Sequence, residues 1–133
     1  MTVFVDSNVP MYLVGAEHPN KGRARAGVER LIADGERLVT DAEVMQEILH
    51  RYAAIGRRDA IAPTLEVLLG IVDEVVPIDA EAVLAASRML DRATGLSARD
   101  ALHVAIMRRH GVDDVLTFDT GFDTITGLRR LPS

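Results

Sequence analysis

Several carboxylates of this chain follow or lie within apolar segments, where an unpaired charge is costly. Asp6 comes directly after the apolar residues 3–5, and Asp119 comes directly after residues 115–118. Asp100 lies near the start of a segment that is apolar nearly all round a helix. Carboxylates that converge from such positions can hold a divalent cation. The full candidate set is Asp6, Glu47, Asp100, Asp119 and Asp123.

Each of these carboxylates also has an ordinary structural explanation. Asp caps helices and forms turns, and Glu forms ion pairs with Arg four residues further along a helix. The explanations are helix capping for Asp6, a capping box with Ser97 for Asp100, an ion pair with Arg51 for Glu47, and turn formation around Gly121 for Asp119 and Asp123. One divalent-metal site would explain all of these positions together, and the metal would relieve the mutual repulsion of the carboxylates.

The hydrophobic pattern predicts strands that alternate with helices. The predicted strands are residues 2–5, 37–40, 75–78 and 115–118, with a weak last strand at 129–131. One helix is predicted to begin at Ser7 or Asn8, and further helices at residues 23–34, 42–54, 58–72, 80–93 and 98–110, with a loop at 15–22. Asp41, Asp79 and Ser97 are the predicted N-caps of the third, fifth and sixth helices.

This alternation predicts an α/β fold with a central, mostly parallel sheet of four to five strands, in a single domain of residues 1–133. Binding sites in such sheets form beyond the carboxyl ends of the strands. Asp6 and Asp119 are both predicted at such ends. If their strands are neighbours, the two carboxylates open into one crevice.

The composition excludes several classes of protein. The absence of cysteine excludes disulfides, zinc–thiolate sites and a cysteine nucleophile, and it fits a cytoplasmic protein. We find no apolar run near the ~20 residues of a membrane span and no secretory signal pattern. The net charge of −5 becomes zero when the five candidate carboxylates are set aside. Arginine pairs are then candidates for contact with a phosphate backbone: Arg57–Arg58, Arg108–Arg109 and Arg129–Arg130.

The order of these motifs resembles the PIN-domain ribonucleases, of the kind found as the VapC-type toxin of VapBC toxin–antitoxin systems. The shared pattern is a strand followed by Asp6-Ser7-Asn8, then Glu47 in a helix, SARDALHVA around Asp100, and TFDTGFD around Asp119 and Asp123. The resemblance covers the whole chain. It implies a PIN-like three-layer α/β/α fold.

The resemblance also implies the roles of individual residues. The implied acidic quartet, which would bind Mg²⁺ or Mn²⁺, is Asp6, Glu47, Asp100 and Asp119. The implied accessory residues are Asn8, Thr117 and Asp123. Glu43 lies one turn before Glu47 on the same helical face, and we favour Glu47 because of its QEIL context. His103 is assigned to the packing of its helix rather than to base catalysis.

The implied activity is metal-assisted hydrolysis of RNA phosphodiester bonds, with no serine or cysteine nucleophile. The implied partners are a second copy of the chain, in a homodimer, and a cognate VapB-type antitoxin that covers the site. The antitoxin would place an arginine among the carboxylates and would use a groove that includes residues 10–14 and 41–55.

Other functions of an α/β sheet with an early aspartate fit less well. A haloacid-dehalogenase-type hydrolase needs D-x-D after the first strand, where this chain has Asp6-Ser7-Asn8. Both that class and the receiver domains need a late lysine, and Lys21 lies in an early segment. A flap nuclease would carry inserted segments that are not visible here. A non-catalytic PIN-fold module that binds protein or RNA is the remaining alternative.

Overall fold

A computed structural model describes residues 1–92 and 95–132 of the protein. The strands are β1 (Thr2–Val5), β2 (Arg37–Asp41), β3 (Glu74–Val76), β4 (Asp114–Leu116) and β5 (Arg129–Leu131). The α-helices are α1 (Asn8–Val14), α2 (Pro19–Ala33), α3 (Ala42–Ala54), α4 (Ile61–Ile71), α5 (Ala80–Leu90) and α6 (Ala98–Arg109). Two 3₁₀ helices cover Arg58–Ala60 and Thr120–Thr124.

The strands form one sheet in the order β3-β2-β1-β4-β5, and every neighbouring pair is parallel. The central strand β1 is buried because parallel sheets are covered on both faces; its residues Val3, Phe4 and Val5 are at most 1% exposed. Helix α1 packs against α2 and α4, α5 packs against α6, and α3 contacts both α4 and α6. The predicted α/β fold with a parallel sheet of four to five strands is confirmed.

Helix starts follow the capping residues that the sequence predicts. The Asp41 side chain accepts a hydrogen bond from the Val44 backbone N–H at 2.9 Å, and the Asp79 side chain accepts one from Ala82 at 2.9 Å. At α6, the Ser97 hydroxyl accepts one from the Asp100 N–H at 3.0 Å. These bonds satisfy amides that have no partner within the helix, so they fix where α3, α5 and α6 begin.

Several predicted boundaries are wrong. The strands predicted at 75–78 and 115–118 are β3 (Glu74–Val76) and β4 (Asp114–Leu116), so each ends two residues earlier. Residues 15–22 were predicted to be a loop, but α2 begins at Pro19, because proline suits a first helical turn and the His18 ring caps the helix by accepting from the Asn20 N–H at 3.0 Å. The single helix predicted at 58–72 is a 3₁₀ turn followed by α4. The predicted helix 80–93 ends at Leu90, and its residue 93 lies outside the described residues.

In the described part of the chain, none of the helices has the length and apolar character needed to cross a membrane.

Candidate active site

The pairing of β1 with β4 brings Asp6 and Asp119 to the same edge of the sheet. The strands run parallel with Val5 opposite Leu116, and the Asp6 backbone N–H continues the ladder by donating to the Leu116 carbonyl at 3.1 Å. Asp6 directly follows β1, and Asp119 lies three residues beyond the end of β4. The two strands are therefore neighbours, which is the arrangement required for Asp6 and Asp119 to open into one crevice.

The Asp6 carboxylate is buried and held from both sides. Its residue is 4% exposed. The Ser7 N–H donates to Oδ1 at 2.8 Å, and the Thr117 hydroxyl donates to Oδ2 at 2.7 Å. Ser7 begins α1 as its N-cap residue without a capping bond from its own side chain. These two bonds orient the carboxylate but leave its charge without a full counter-ion.

The Thr117 hydroxyl is the centre of a small network that joins both strand ends. It accepts hydrogen bonds from the Asn8 side-chain amide at 2.9 Å and from the Asp119 N–H at 3.1 Å, while it donates to Asp6. The Asn8 side-chain oxygen accepts from the Phe118 N–H at 3.3 Å. Asn8 and Thr117 thus hold the segment after β4 against the start of α1, and this fixes the separation of the two aspartates.

Asp100 joins the group from the first turn of α6. It is half-buried, and the pKa of its carboxyl is raised to about 6 by burial first and then by the negative charges of Asp6 and Asp119. The bond from its own N–H to Ser97 is present as well, so the capping explanation is correct but incomplete. Burial and neighbouring negative charges both disfavour the ionised carboxyl, so a bound cation would be favourable here.

Glu47 reaches the same place from the middle of α3. A Glu47 carboxylate oxygen lies within 4.8 Å of ligand atoms of Asp6 and His103. Its side chain is 14% exposed and has two arginines nearby, Arg51 at 3.5 Å and Arg99 at 3.8 Å. The predicted ion pair with Arg51 exists, but its 3.5 Å separation is that of a weak, solvent-exposed contact. The Glu47 carboxylate therefore remains available to bind a metal.

Glu43 and Asp123 are paired with arginines outside this group. The Arg99 Nε donates to Glu43 at 3.1 Å, which favours Glu47 over Glu43 as the helical member of the cluster. Arg130 donates two hydrogen bonds to the Asp123 carboxylate, at 2.8 and 3.2 Å. The structure therefore brings Glu47 to Asp6 and His103, places Asp100 where the charges of Asp6 and Asp119 act on it, and directs Asp123 toward Arg130.

His103 is the residue whose place in the site the sequence did not reveal. It is fully buried on α6, one turn after Asp100, and its Nδ1 lies 2.7 Å from Asp41 Oδ2. Burial opposes a charge on the ring, but the hydrogen bond to Asp41 and the charges of Asp41, Asp6 and Asp100 raise the pKa of His103 to about 9. The only early signal was its spacing of three residues from Asp100, which places both on one helical face.

The other ring nitrogen of His103 has no hydrogen-bond partner within the described residues. This Nε2 lies 4.0 Å from Asp6 Oδ1. A buried polar atom without a partner, facing carboxylates that repel one another, indicates that the site is built for an additional group. The hard carboxylate oxygens of Asp6, Glu47, Asp100 and Asp119 suit a divalent cation, so the cluster can bind such a metal.

Comparisons with known proteins agree with this geometry. The family model of the PIN domain matches residues 3–128. Ribonuclease VapC13 of Mycobacterium tuberculosis is 54% identical over 129 residues, which cover 97% of this chain and 98% of that protein. The chain therefore belongs to the PIN domain family and, within it, to the VapC ribonucleases.

Solved structures agree with the fold. The crystal structure of Mycobacterium tuberculosis VapC20, described as a sarcin–ricin loop cleaving toxin, superposes with a TM-score of 0.71 at 26% identity, over 91% of this chain and 92% of that one. The VapBC2 complex of Rickettsia felis, bound to a promoter DNA fragment, gives a TM-score of 0.74 at 13% identity, over 98% and 97% of the two chains. The second likeness concerns the fold alone.

Proposed function

We propose that this protein is a divalent-metal-dependent endoribonuclease that acts as the toxin of a type II toxin–antitoxin system. Asp6, Glu47, Asp100 and Asp119 are its metal-binding and catalytic residues, and Mg²⁺ or Mn²⁺ is its cofactor. The observation that carries the proposal is the grouping of ligand atoms of Asp6, Glu47 and His103 within 4.8 Å of one another, beside Asp100, whose pKa is raised to about 6 by burial, Asp6 and Asp119. A bound cation would offset the repulsion among these carboxylates at neutral pH.

A bound divalent ion would supply water of lowered pKa and would offset the charge on the attacked phosphate. The protein's own residues orient the carboxylates that would bind the ion and leave room for the phosphate. Thr117 and the Ser7 N–H fix the orientation of Asp6, and Asn8 fixes Thr117. Burial of Asp6 removes competing water from one side, and Asp119 lies at the exposed rim, where an RNA phosphate can approach. Hydrolysis of this kind needs no covalent intermediate on the enzyme.

Arginines support an RNA substrate, although four of the six in the predicted pairs are engaged with carboxylates. Four arginines of the predicted pairs are bound to aspartates: Arg57 to Asp59, Arg109 to Asp79, Arg129 to Asp114 and Arg130 to Asp123. Arg108, a member of one predicted pair, lines a pocket between α5, α6 and residues 124–126 together with Arg88 and Arg92. Among the residues described, none of these three has a carboxylate within 4.0 Å. Unpaired guanidinium groups gathered in this way suit a phosphate backbone.

The proposal includes two protein partners. An apolar face of α5 supports a homodimer, because Val83 is 51% exposed and Leu84 58% exposed, and Leu90 extends the same helix. A VapB-type antitoxin is the second partner, in keeping with the VapC group to which the chain belongs. It would neutralise the acidic cluster with a cationic side chain, since a guanidinium can pair with carboxylates in place of a metal. We expect a cytoplasmic location, which is in keeping with a cellular RNA substrate.

The test is a cleavage assay on cellular RNA with antitoxin-free protein, in Mg²⁺, in Mn²⁺ and in EDTA. We expect discrete cleavage with metal and none with EDTA. Asp100→Asn should lose at least about 100-fold in activity, since changes one step away from a metal already cost about 10- to 100-fold. Asp59→Asn, an exposed carboxylate that pairs with Arg57, is the matched control and should keep full activity.

Circular dichroism and melting temperature establish that both variants are folded. Equal activity in Asp100→Asn and the unaltered protein would point to a contaminating nuclease. A folded protein that cleaves no RNA in either metal, and whose melting temperature does not rise with metal, would contradict the proposal and leave the non-catalytic binding module.

A further inference from the structure

A group of planar side chains lies beside the acidic cluster and has no part in the proposed chemistry. The Tyr12 and Phe118 rings meet edge to face at 5.2 Å. His18 lies against Tyr12 at 4.8 Å with a tilt of 34°, and the Arg23 guanidinium lies 5.5 Å from the centroid of Phe118. We call Tyr12, His18, Arg23 and Phe118 the planar cluster.

The planar cluster is exceptional in this chain because aromatic residues are scarce and otherwise buried. The sequence has only three phenylalanines, two tyrosines and no tryptophan. Phe4 and Phe122 are each 1% exposed, and Tyr52 is 8% exposed. The two remaining aromatic residues, Tyr12 and Phe118, are partly exposed, and they are the two that touch.

The outer members of the planar cluster are held with their planes in place. Asn20 organises both: its N–H donates to His18 Nδ1 at 3.0 Å, and its side-chain oxygen accepts from Arg23 Nη1 at 3.3 Å. His18 and Arg23 are themselves exposed, with Tyr12 and Phe118 beneath them. The protein therefore presents flat groups to solvent at little cost in side-chain entropy on binding.

The planar cluster is rigidly linked to the acidic cluster. Phe118 lies between Thr117, which bonds Asp6, and Asp119, and its own N–H donates to Asn8. Tyr12 is one helical turn after Asn8 on α1, so it faces the same way. A group that stacked on the cluster would lie next to a phosphate at Asp119.

We propose that the planar cluster binds an unpaired nucleobase of the RNA by stacking, next to the bond that is cut. Single-stranded nucleic acids are recognised by aromatic rings and arginine planes on which bases stack, with a cation nearby for the backbone. Arg23 supplies both a plane and a charge. The identity of the ligand as RNA rests on the function proposed above, and the placement of the base rests on the cluster itself.

Tyrosine fluorescence gives a direct readout because the chain has no tryptophan and only two tyrosines. In a variant with Tyr52→Phe and Asp100→Asn, Tyr12 is the only tyrosine and the RNA is not cut. We titrate it with a short oligouridylate and with an abasic ribose–phosphate oligomer of equal length. Stacking predicts quenching of Tyr12 emission by the oligouridylate alone, and at least about fivefold tighter binding of it.

Three variants each remove one planar group and keep another property of the side chain that carries it. His18→Asn removes the ring but keeps a good helix cap, Phe118→Leu keeps apolar volume, and Arg23→Lys keeps the charge. Each should weaken oligouridylate binding by about fivefold or more and leave binding of the abasic oligomer nearly unchanged. Arg25→Lys, on the same helix but paired with Glu29, is the matched control and should bind as the parent does.

Kinetics on the intact catalytic site complete the test. With Asp100 restored, His18→Asn should raise KM for RNA by about fivefold with little change in kcat, since the ring touches a base and not the reacting atoms. Equal binding of base-bearing and abasic oligomers, an unresponsive Tyr12, or unchanged KM in folded variants would overturn the stacking proposal. RNA cleavage with no Tyr12 response would refute stacking alone. Base-dependent quenching without cleavage by the unaltered protein would refute the nuclease alone.

Discussion

Four aspartates lie at the carboxyl ends of four neighbouring parallel strands, yet they fall into two kinds. Asp41 and Asp79 cap the helices that follow β2 and β3. Each also has a cationic or titratable partner: His103 lies 2.7 Å from Asp41, and Arg109 donates to Asp79 at 3.0 and 3.1 Å. The hydrogen bonds from Arg109 hold the pKa of Asp79 below its usual value. These two carboxylates are satisfied by the protein itself.

Asp6 and Asp119, after β1 and β4, have no arginine or lysine within 4.0 Å in the parts of the chain that the structure describes. Their hydrogen bonds come from backbone amides and from Thr117. They raise the pKa of the nearby Asp100 instead of being neutralised. The difference shows that a position at the end of a strand is not sufficient to make an aspartate part of a metal site. What sets Asp6 and Asp119 apart is that no arginine or lysine of the described residues pairs with them.

Substituting one aspartate of each kind tests this difference most directly. Asp119→Asn should reduce kcat/KM for RNA by at least about 100-fold, since it removes a proposed metal ligand. Asp79→Asn should change kcat/KM by less than about threefold, because asparagine still caps α5 and only an exposed ion pair is lost. Cleavage rates of the two variants, measured side by side with melting temperatures, check this. A large and equal loss in both would mean that strand-end position, not pairing, decides.

Substitutions in the buried pair of Asp41 and His103 should mainly affect the stability of the fold. His103→Gln leaves Asp41 buried without its partner and should lower the free energy of unfolding by about 3 kcal/mol or more. Asp41→Asn, which keeps the helix cap, should also destabilise. The double variant should lose about 1–3 kcal/mol less than the sum of the two, because the pair acts as a unit. Urea unfolding of the four proteins gives the coupling, and strictly additive losses would contradict it.

Much of the fold was predictable from the sequence because its signals are local. The caps Asp41, Asp79 and Ser97 start helices where predicted, and the alternation of elements gives a parallel sheet. The start of α2 at Pro19 was missed because its cap is His18, a residue that carries no strong capping preference.

The predicted members of the acidic cluster came from strand ends and from family resemblance, whereas its partners depend on long-range contacts. His103 meets Asp41 across 62 positions of sequence, and Asn8 meets Thr117 across 109. No local pattern reports such a contact. The same holds for the pairing of Asp123 with Arg130, which draws this predicted accessory residue toward a different neighbour.

The pH dependence of stability distinguishes the two kinds of carboxylate in the metal-free protein. The pKa of His103 is raised from 6.5 to about 9, so the folded state binds an additional proton between these values. Its stabilising effect is fully present below pH 6.5 and is lost as the pH rises to 9. We expect the free energy of unfolding in EDTA to fall by on the order of 2 kcal/mol across that window. The fall should be absent in His103→Gln, and a flat profile in the unaltered protein would contradict the pairing.

Asp100 should change stability in the same direction but in a lower pH window, since its pKa also rises on folding, from 3.8 to about 6. Its charged form therefore costs stability above pH 6, and the cost disappears below about pH 4. Asp100→Asn should raise the melting temperature of the metal-free protein at pH 7.5 by about 2–4 °C, or roughly 1 kcal/mol in the free energy of unfolding. This value allows for solvent screening of the charge and for the loss of a favourable negative charge at the start of α6. At pH 4 the gain should vanish. Saturating Mg²⁺ should reverse the order, because only the unaltered cluster gains stability by binding the ion. A variant that melts lower than the unaltered protein in EDTA at pH 7.5 would mean that Asp100 is held by partners of its own, as Asp79 is.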